Sequence, residues 1–239
     1  MKRVLKWVGV VVAVLAVALF AAWYSAFGTN KTIVDGQVLV PGVTVVKNGF
    51  VSMFVLDAGP GKVALVDAGR DTEGKAILAA LSARGMTPAS VAAIFLTHWH
   101  PDHTAAAHLF PGAKVYLMEP DVAPAGDSVK VTNPLKDGDV VDVGDLHVEA
   151  FATPGHTAGS AVYFARGVLF FGDSAGATSD GEVKRAVRLF SKDSGQNLAS
   201  LKALAARLQP RAAEVKVLAF AHTGPLDGFG PLATFAAKP

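Results

Sequence analysis

Four side chains with affinity for metal ions stand within six residues of one another in Thr97-His98-Trp99-His100-Pro101-Asp102-His103. Neutral imidazole and carboxylate are the donors that divalent transition ions take, zinc foremost. The run 91–96 just ahead of them is apolar and ends in turn residues, which predicts a buried strand followed by a loop. Donors on a loop at a strand's end can converge on one ligand, so this stretch reads as a metal site.

Other candidate donors occupy the same kind of place. His156 lies in Thr153-Pro154-Gly155-His156-Thr157-Ala158-Gly159-Ser160, a turn-rich segment between strand-like runs at 146–152 and 161–164. Asp173 ends the run 168–171, and His222 follows the run 215–221. Strand ends at one edge of a layered α/β domain meet in space, so donors far apart in sequence can share a metal. His108 and His147 lack this context. The first sits in a helix-like stretch, 104–110, and the second alternates within a strand, so both read as structural.

The elements that must position these donors are legible as well. Segments 38–40, 44–47, 50–57 and 63–67 read as short strands separated by Gly, Pro and Asn turns. Residues 71–84 predict a helix, with Ile77, Ala80, Leu81 and Arg84 at helical spacing and Gly85 placed to end it. Strand and helix then alternate to Phe171. Leu198, Leu201, Leu204, Ala205 and Leu208 make a second apolar stripe that Pro210 stops. The pattern is α/β, and roughly 210 residues after the N-terminal segment suit one domain with a sizeable core.

The loop His98-x-His100-x-Asp102-His103, followed in order by His156, Asp173 and His222, resembles the metallo-β-lactamase-fold hydrolase superfamily, with a glyoxalase II or lactonase-like motif set. Upstream, Val66-Asp67-Ala68-Gly69 matches that family's first motif. The resemblance spans about residues 36–230 and implies a four-layer αβ/βα sandwich with a dinuclear site in a cleft along one edge. It further implies that His98, His100 and His156 bind one metal, that Asp102, His103 and His222 bind a second, and that Asp173 bridges them. Asp67 is then a support that hydrogen-bonds the histidine loop, since metal-bound imidazoles need orienting partners.

The chemistry so implied is metal-assisted hydrolysis. Divalent ions lower the pKa of bound water to about 7, and two of them roughly 3.5–4 Å apart can bridge the resulting hydroxide and polarise a substrate oxygen. Asp102 orients the nucleophile and helps carry its proton to the leaving group. The expected reaction is cleavage of an ester, thioester, lactone or similar bond in a small molecule, with two divalent ions as cofactors. Zinc leads, and iron and manganese suit the same donors.

Departures from known patterns narrow this reading. No cysteine is present, so thiolate ligands, thiol nucleophiles and disulfides are all excluded. A metallo-β-lactamase uses a cysteine ligand or lacks the bridging carboxylate that Asp173 offers, so β-lactam hydrolysis is not the expected activity. Glyoxalase II carries a C-terminal helical domain that grips glutathione, and 17 residues follow His222 here. Lactonases of the superfamily place a tyrosine near the metals, and Tyr24, Tyr116 and Tyr163 are not evidently so placed. The alternatives are a mononuclear iron persulfide dioxygenase and a non-catalytic metal-binding periplasmic protein. Loops at 57–62 and 174–194 are expected to shape the substrate site, and Gly176, Gly181 and Gly195 suit the second to a mobile lid or a disordered insertion alike.

The N-terminus is a separate object. Lys2, Arg3 and Lys6 precede residues 7–27, twenty-one positions without a charge, and a helix of that length spans about 31 Å. Residues 1–28 are therefore expected to be a membrane anchor, with the bilayer as partner, or a cleaved signal peptide ending at Ala26-Phe27-Gly28. Either reading exports residues 29–239, to the extracytoplasmic face or beyond it. Three of the 22 basic residues lie before Trp7, leaving 19 against 20 acidic ones. The domain is thus near neutral, which offers no surface for nucleic acid.

Overall fold

Central strands of this chain are apolar at nearly every position, whereas outlying strands alternate. The first have both faces covered and the second only one. The computed structural model describes residues 2–239, with the side chains of residues 2–6, 8–10, 22, 25 and 26 outside that description. An N-terminal helix, α1 (Lys2–Trp23), precedes two sheets.

The first sheet runs in sequence order through β1 (Val38–Val40), β2 (Val43–Asn48), β3 (Val51–Asp57), β4 (Val63–Val66), β5 (Val91–Phe95), β6 (Lys114–Met118) and β7 (Asn133–Leu135). It is antiparallel as far as β4 and parallel from β4 to β7. Its parallel crossovers carry α2 (Lys75–Ala83), α3 (Pro101–Thr104) and α4 (Glu119–Ala125). The second sheet uses β8 (Val140–Val143), β9 (Leu146–Ala152), β10 (Ala161–Ala165) and β11 (Val168–Phe170). A hairpin of β12 (Ala175–Ala177) and β13 (Val183–Arg185) and helix α5 (Ser194–Leu208) then intervene. The chain returns to that sheet as β14 (Val217–Ala219) and β15 (Leu226–Asp227), and it ends in α6 (Gly230–Ala237).

Three apolar layers follow from this arrangement. Val45, Phe54 and Phe95 of the first sheet meet Val148, Tyr163 and Phe170 of the second, with the Phe54 and Phe170 rings 5.0 Å apart. Ile77 and Leu81 of α2 cover Val55, Leu65 and Ile94 on the outer face of the first sheet. Leu201, Leu204 and Leu208 of α5, with Leu232 of α6, cover Val162, Leu169 and Leu218 on the outer face of the second. The result is the four-layer αβ/βα sandwich expected.

Several local expectations are corrected. Helix α2 begins at Lys75 rather than at 71, because Gly74 is left-handed (φ 59°). The Asp71 carboxylate accepts from the amides of Glu73 (3.0 Å) and Lys75 (3.1 Å), so residues 71–74 form a turn. The stretch 104–110 is not one helix: α3 is a single turn, and a separate 3-10 turn at Ala107–Leu109 carries the exposed His108. Residues 174–194 form a hairpin and turn that bury Ala175, Ala177 and Val183, rather than a disordered insertion. The 57–62 turn lies at the wrong edge of the sheet to shape the site. Asp57 pairs with Val63 at one end of β3 and β4, whereas Phe54 pairs with Val66 toward Asp67. The turn that does border the site is Asn48–Val51.

The expected membrane span is also revised. Among the described residues no helix is long and apolar enough to cross a membrane, although part of the expected span falls on residues 8–10, 22, 25 and 26, whose side chains lie outside the description. Regular α-helix stops at Trp23, and Tyr24–Gly28 continue as a π-helical turn. Uncharged α-helix from Trp7 to Trp23 measures about 25 Å, short of a hydrocarbon core of about 30 Å. Beyond it the chain joins the domain as a strap. Lys31 donates its amide to Ala177 (3.0 Å) and accepts from the amide of Gly224 (2.8 Å), and Asn30 bridges to Thr178.

Candidate metal centre

All seven donor side chains singled out in the sequence meet at one edge of the sandwich. His98 and His100 lie on the loop after β5, and Asp102 and His103 in α3. His156 follows β9, Asp173 follows β11 and His222 follows β14. Three overlapping groups have their donor atoms within 4.8 Å of one another: His98, His100 and His156; His98, His103 and Asp173; and Asp102, His103 and His222.

The histidine loop owes its shape to a few local devices. His100 is extended and is followed by Pro101 at the first position of α3, so the helix starts at once and turns Asp102 and His103 inward. Gly172 holds a left-handed φ of 52°, and a Cβ there would lie 2.3 Å from Thr97 Oγ1, so only glycine lets the Asp173 turn approach this loop. Asp67, fully buried, adopts φ 60°, which is costly for a residue with a side chain. Its amide donates to Phe95 O at 3.0 Å, and its carboxylate accepts from the Thr97 amide at 2.8 Å and the Thr97 hydroxyl at 2.9 Å.

Hydrogen bonding decides which ring nitrogens face the centre. Nδ1 of His103 donates to Asp67 Oδ2 at 2.8 Å, and Nδ1 of His222 donates to Phe50 O at 3.0 Å. The Thr97 hydroxyl, spent as a donor on Asp67, accepts from His98 Nδ1 at 3.1 Å. Nδ1 of His156 meets Ser191 Oγ at 3.4 Å. Each partner holds a proton on Nδ1, so Nε2 is the ring nitrogen that faces the centre. His100 presents Nδ1 instead, 3.1 Å from His156 Nε2. Asp173 Oδ1 lies 3.2 Å from His103 Nε2 and 3.1 Å from His222 Nε2, while Oδ2 lies 3.6 Å from His156 Nε2. Asp102 Oδ2 stands 3.4 Å from His222 Nε2.

These residues fit divalent cations. Nε2 of His98, Nε2 of His103 and Oδ1 of Asp173 are buried and make no hydrogen bond. His103 Nε2 and Asp173 Oδ1 still face each other as an ion pair, whereas leaving His98 Nε2 unpaired costs about 1–3 kcal/mol, which a cation in the cluster would offset. The two halves of the cluster differ in charge. Burial holds His98 well below the ordinary histidine value and His156 at about 4, and it lowers His100. Burial also opposes charge on His103 and His222, but carboxylates outweigh it. Asp67 and Asp173 hold His103 well above its usual value, and Asp173 with Asp102 holds His222 at about 9. Burial would raise Asp173, yet His103 and His222 outweigh it and keep that carboxyl well below the carboxylate range.

Asp121 is a participant that the sequence reading missed. Fully buried on α4, it accepts from the Thr157 hydroxyl (2.6 Å), the Gly159 amide (2.6 Å) and the Trp99 amide (3.3 Å). Burial pushes its carboxyl up despite those bonds. It thereby ties the His98–His100 loop, built on the first sheet, to the His156 turn of the second. A Cβ at Gly159 would come within 2.7 Å of Asp121, so that contact requires glycine. The only signal in the sequence is an acidic residue one turn beyond an apolar strand. Tyr163, Tyr116 and Tyr24 are engaged elsewhere: the buried Tyr163 hydroxyl donates to Leu96 O at 2.7 Å, Tyr116 stacks on Phe95, and Tyr24 stacks on Phe20.

The chain is similar to known proteins in both sequence and fold. The family model described as metallo-beta-lactamase superfamily matches residues 46–222. Hydroxyacylglutathione hydrolase of Aeromonas hydrophila is 38% identical over 118 residues, 48% of this chain and 42% of that protein. The enzyme of that name from Citrobacter koseri is 35% identical over 159 residues, 64% of this chain and 56% of that protein. The chain thus spans about half the length of the curated relatives it matches. Among solved structures, a metallo-beta-lactamase family protein from Thermus thermophilus superposes with a TM-score of 0.64 at 25% identity, covering 83% of this chain and 78% of that one. A subclass B3 metallo-beta-lactamase of Bradyrhizobium japonicum gives 0.63 at 21% identity, over 87% and 91%, a likeness of fold.

Two outcomes are expected. Ions held by His103 and His222 must displace protons, because both rings are charged near neutral pH in the metal-free protein. Their affinity therefore falls as pH drops below about 9, the value of His222. In the other group His156 stays neutral until pH nears about 4, and burial holds His98 and His100 below the ordinary histidine value. Were both groups to hold an ion, metal content measured after equilibration at successively lower pH should fall first at His103 and His222 and only later at the other group; the reverse order or simultaneous loss would contradict this assignment. Asp121→Asn leaves an amide N–H facing donors. It should lower occupancy of the three-histidine position about 10-fold or more, read as the loss of one cobalt d–d spectrum while the other persists.

Proposed function

This chain belongs to the metallo-beta-lactamase superfamily, and from that membership we propose that it is a dinuclear metal-dependent hydrolase of esters, thioesters or lactones. One observation carries the reading: seven donors from both sheets converge in overlapping groups, and three of them bury an atom that makes no hydrogen bond. His98, His100 and His156 would hold one divalent ion; Asp102, His103 and His222 would hold the other. Asp173, with one oxygen toward each group, would serve both. Bound there, divalent ions supply Lewis acidity and a water acidified to about pKa 7.

The chain's own residues supply orientation and proton handling. Asp67, Thr97, Phe50 O and Ser191 fix the imidazoles by their Nδ1 atoms, so the rings cannot turn away from the centre. Asp102 is partly exposed at the cleft, 3.4 Å from His222 Nε2. Its carboxylate can orient the attacking water, accept a proton and pass it to the departing alkoxide or thiolate. Water's oxygen joins the acyl carbon, the acyl–oxygen or acyl–sulfur bond breaks, and the products are an acid and an alcohol or thiol. The hydroxyacylglutathione hydrolases among the relatives support thioesters as candidates, over the half of their length that is shared.

Elemental analysis of the purified chain should find near two equivalents of zinc, and a panel of simple esters, thioesters and lactones should be turned over without oxygen. Asp173→Ala should lose metal and at least about 100-fold in activity. One equivalent of iron with oxygen consumption would overturn the proposal. Export of the domain is proposed as well, supported by Lys2, Arg3 and Lys6 ahead of the uncharged residues 7–27. Fractionation of cells expressing the full chain and residues 29–239 should place only the former outside the cytoplasm; equal retention would contradict export.

A further inference from the structure

Aromatic rings are rarely left in water, and this domain buries nearly all of its own. Past the N-terminal helix and its π-helical turn, the large hydrophobic side chains that stay exposed among the described residues are Val34, Val38, Phe50, Val140, Leu189 and Phe190. Three of these six flank the donor cluster, and they include both exposed rings. Phe50 is 57% exposed, Leu189 83% and Phe190 55%. Isolated exposed valines need no explanation, but apolar residues gathered about a polar cleft mark a surface that meets an apolar partner.

Their placement is specific. Phe50 stands on the β2–β3 turn at one end of the cluster. Its ring stacks on His222 with centroids 5.6 Å apart, and the Arg70 guanidinium lies 4.6 Å above it. Leu189 and Phe190 stand at the other end, on the 3-10 turn Arg188–Phe190. The next residues anchor that turn to His156: Ser191 Oγ meets its Nδ1 at 3.4 Å, and the Lys192 amide donates to its carbonyl at 3.0 Å. Phe27 adds a ring 6.5 Å from Phe190. Metal donors thus form the floor between two apolar posts, each fastened to a different histidine.

We propose that the site takes substrates whose acyl part is an extended apolar chain, with the scissile carbonyl over the donors and the chain lying against Leu189 and Phe190. This rests on the hydrolase reading above and adds the substrate's character. A polar, charged acyl group would leave these posts in water and gain nothing from them.

The test is a chain-length series on the zinc-loaded full chain: p-nitrophenyl acetate, butyrate and octanoate below their aggregation limits. A wholly buried methylene is worth roughly fourfold. Against an open rim about twofold is expected, so kcat/KM should rise on the order of 50-fold from acetate to octanoate. In the double variant Leu189→Ser, Phe190→Ser the octanoate-to-acetate ratio should fall by about 10-fold. Both residues are surface side chains, so folding is not at stake. Equal rates along the series, or an unchanged ratio in the variant, overturn the apolar-chain proposal while leaving the hydrolase standing. Absence of hydrolysis at every length overturns both.

Discussion

Crowding of imidazoles is the constraint on which the rest of this structure depends. Five histidines share one small volume, and in water each would take a proton near neutrality. Packed together they repel when charged and leave lone pairs unsatisfied when neutral. Besides Asp102, which faces His222 at the cleft, three carboxylates resolve the conflict in different ways. Asp173 lies among the Nε2 atoms and offsets charge. Asp67 sits behind the rings and takes their outward protons, directly from His103 and through Thr97 from His98. Asp121 touches no ring and joins the two loops that carry them. The first would contact a cation; the other two set where the donors stand.

Stability and function part company at these positions. Asp67 combines a left-handed backbone with full burial of a carboxylate, and the sandwich would tolerate neither without the bonds from Thr97 and His103. Gly172 and Gly159 give up side chains so that backbone can pass close to Thr97 and Asp121. All of these features lie at the edge where β4, β5 and β11 end. The opposite edge holds ordinary surface pairs instead, such as Arg84 with Asp57 at 2.9 Å. Strain collects where the parallel strands release their loops, which is where an α/β sheet can gather side chains from distant segments.

Much of this is legible in the sequence, and the part that is not has a common cause. Strand ends, helical stripes and the donors themselves are local signals: a period of two or 3.6, a His-x-His-x-Asp-His loop, a turn with glycine and proline. Asp121 is invisible by that route because its importance lies in three partners 22, 36 and 38 residues away. The 57–62 turn has the composition of a site loop, but composition says nothing about which edge of a sheet a turn caps; pairing of Asp57 with Val63 decides that. Helix α2 loses its first turn to Asp71, whose carboxylate caps two amides that periodicity alone would place in the helix. Phe50 reads simply as the start of a strand, whereas its carbonyl and ring both serve His222.

The strap between α1 and the first sheet shows how far the site's frame extends. Asn30 donates to His222 O at 3.5 Å and accepts from Lys184 on β13. Lys31 bonds on one side to Ala177, four residues past Asp173, and on the other to Gly224, two residues past His222. A Cβ on Gly224 would lie 2.3 Å from Thr32 O, so the two backbones are in contact. Residues 29–32 therefore act as a cross-brace between the loops bearing Asp173 and His222, although they precede the first strand. Any processing of the N-terminus compatible with this site has to spare Asn30 and Lys31.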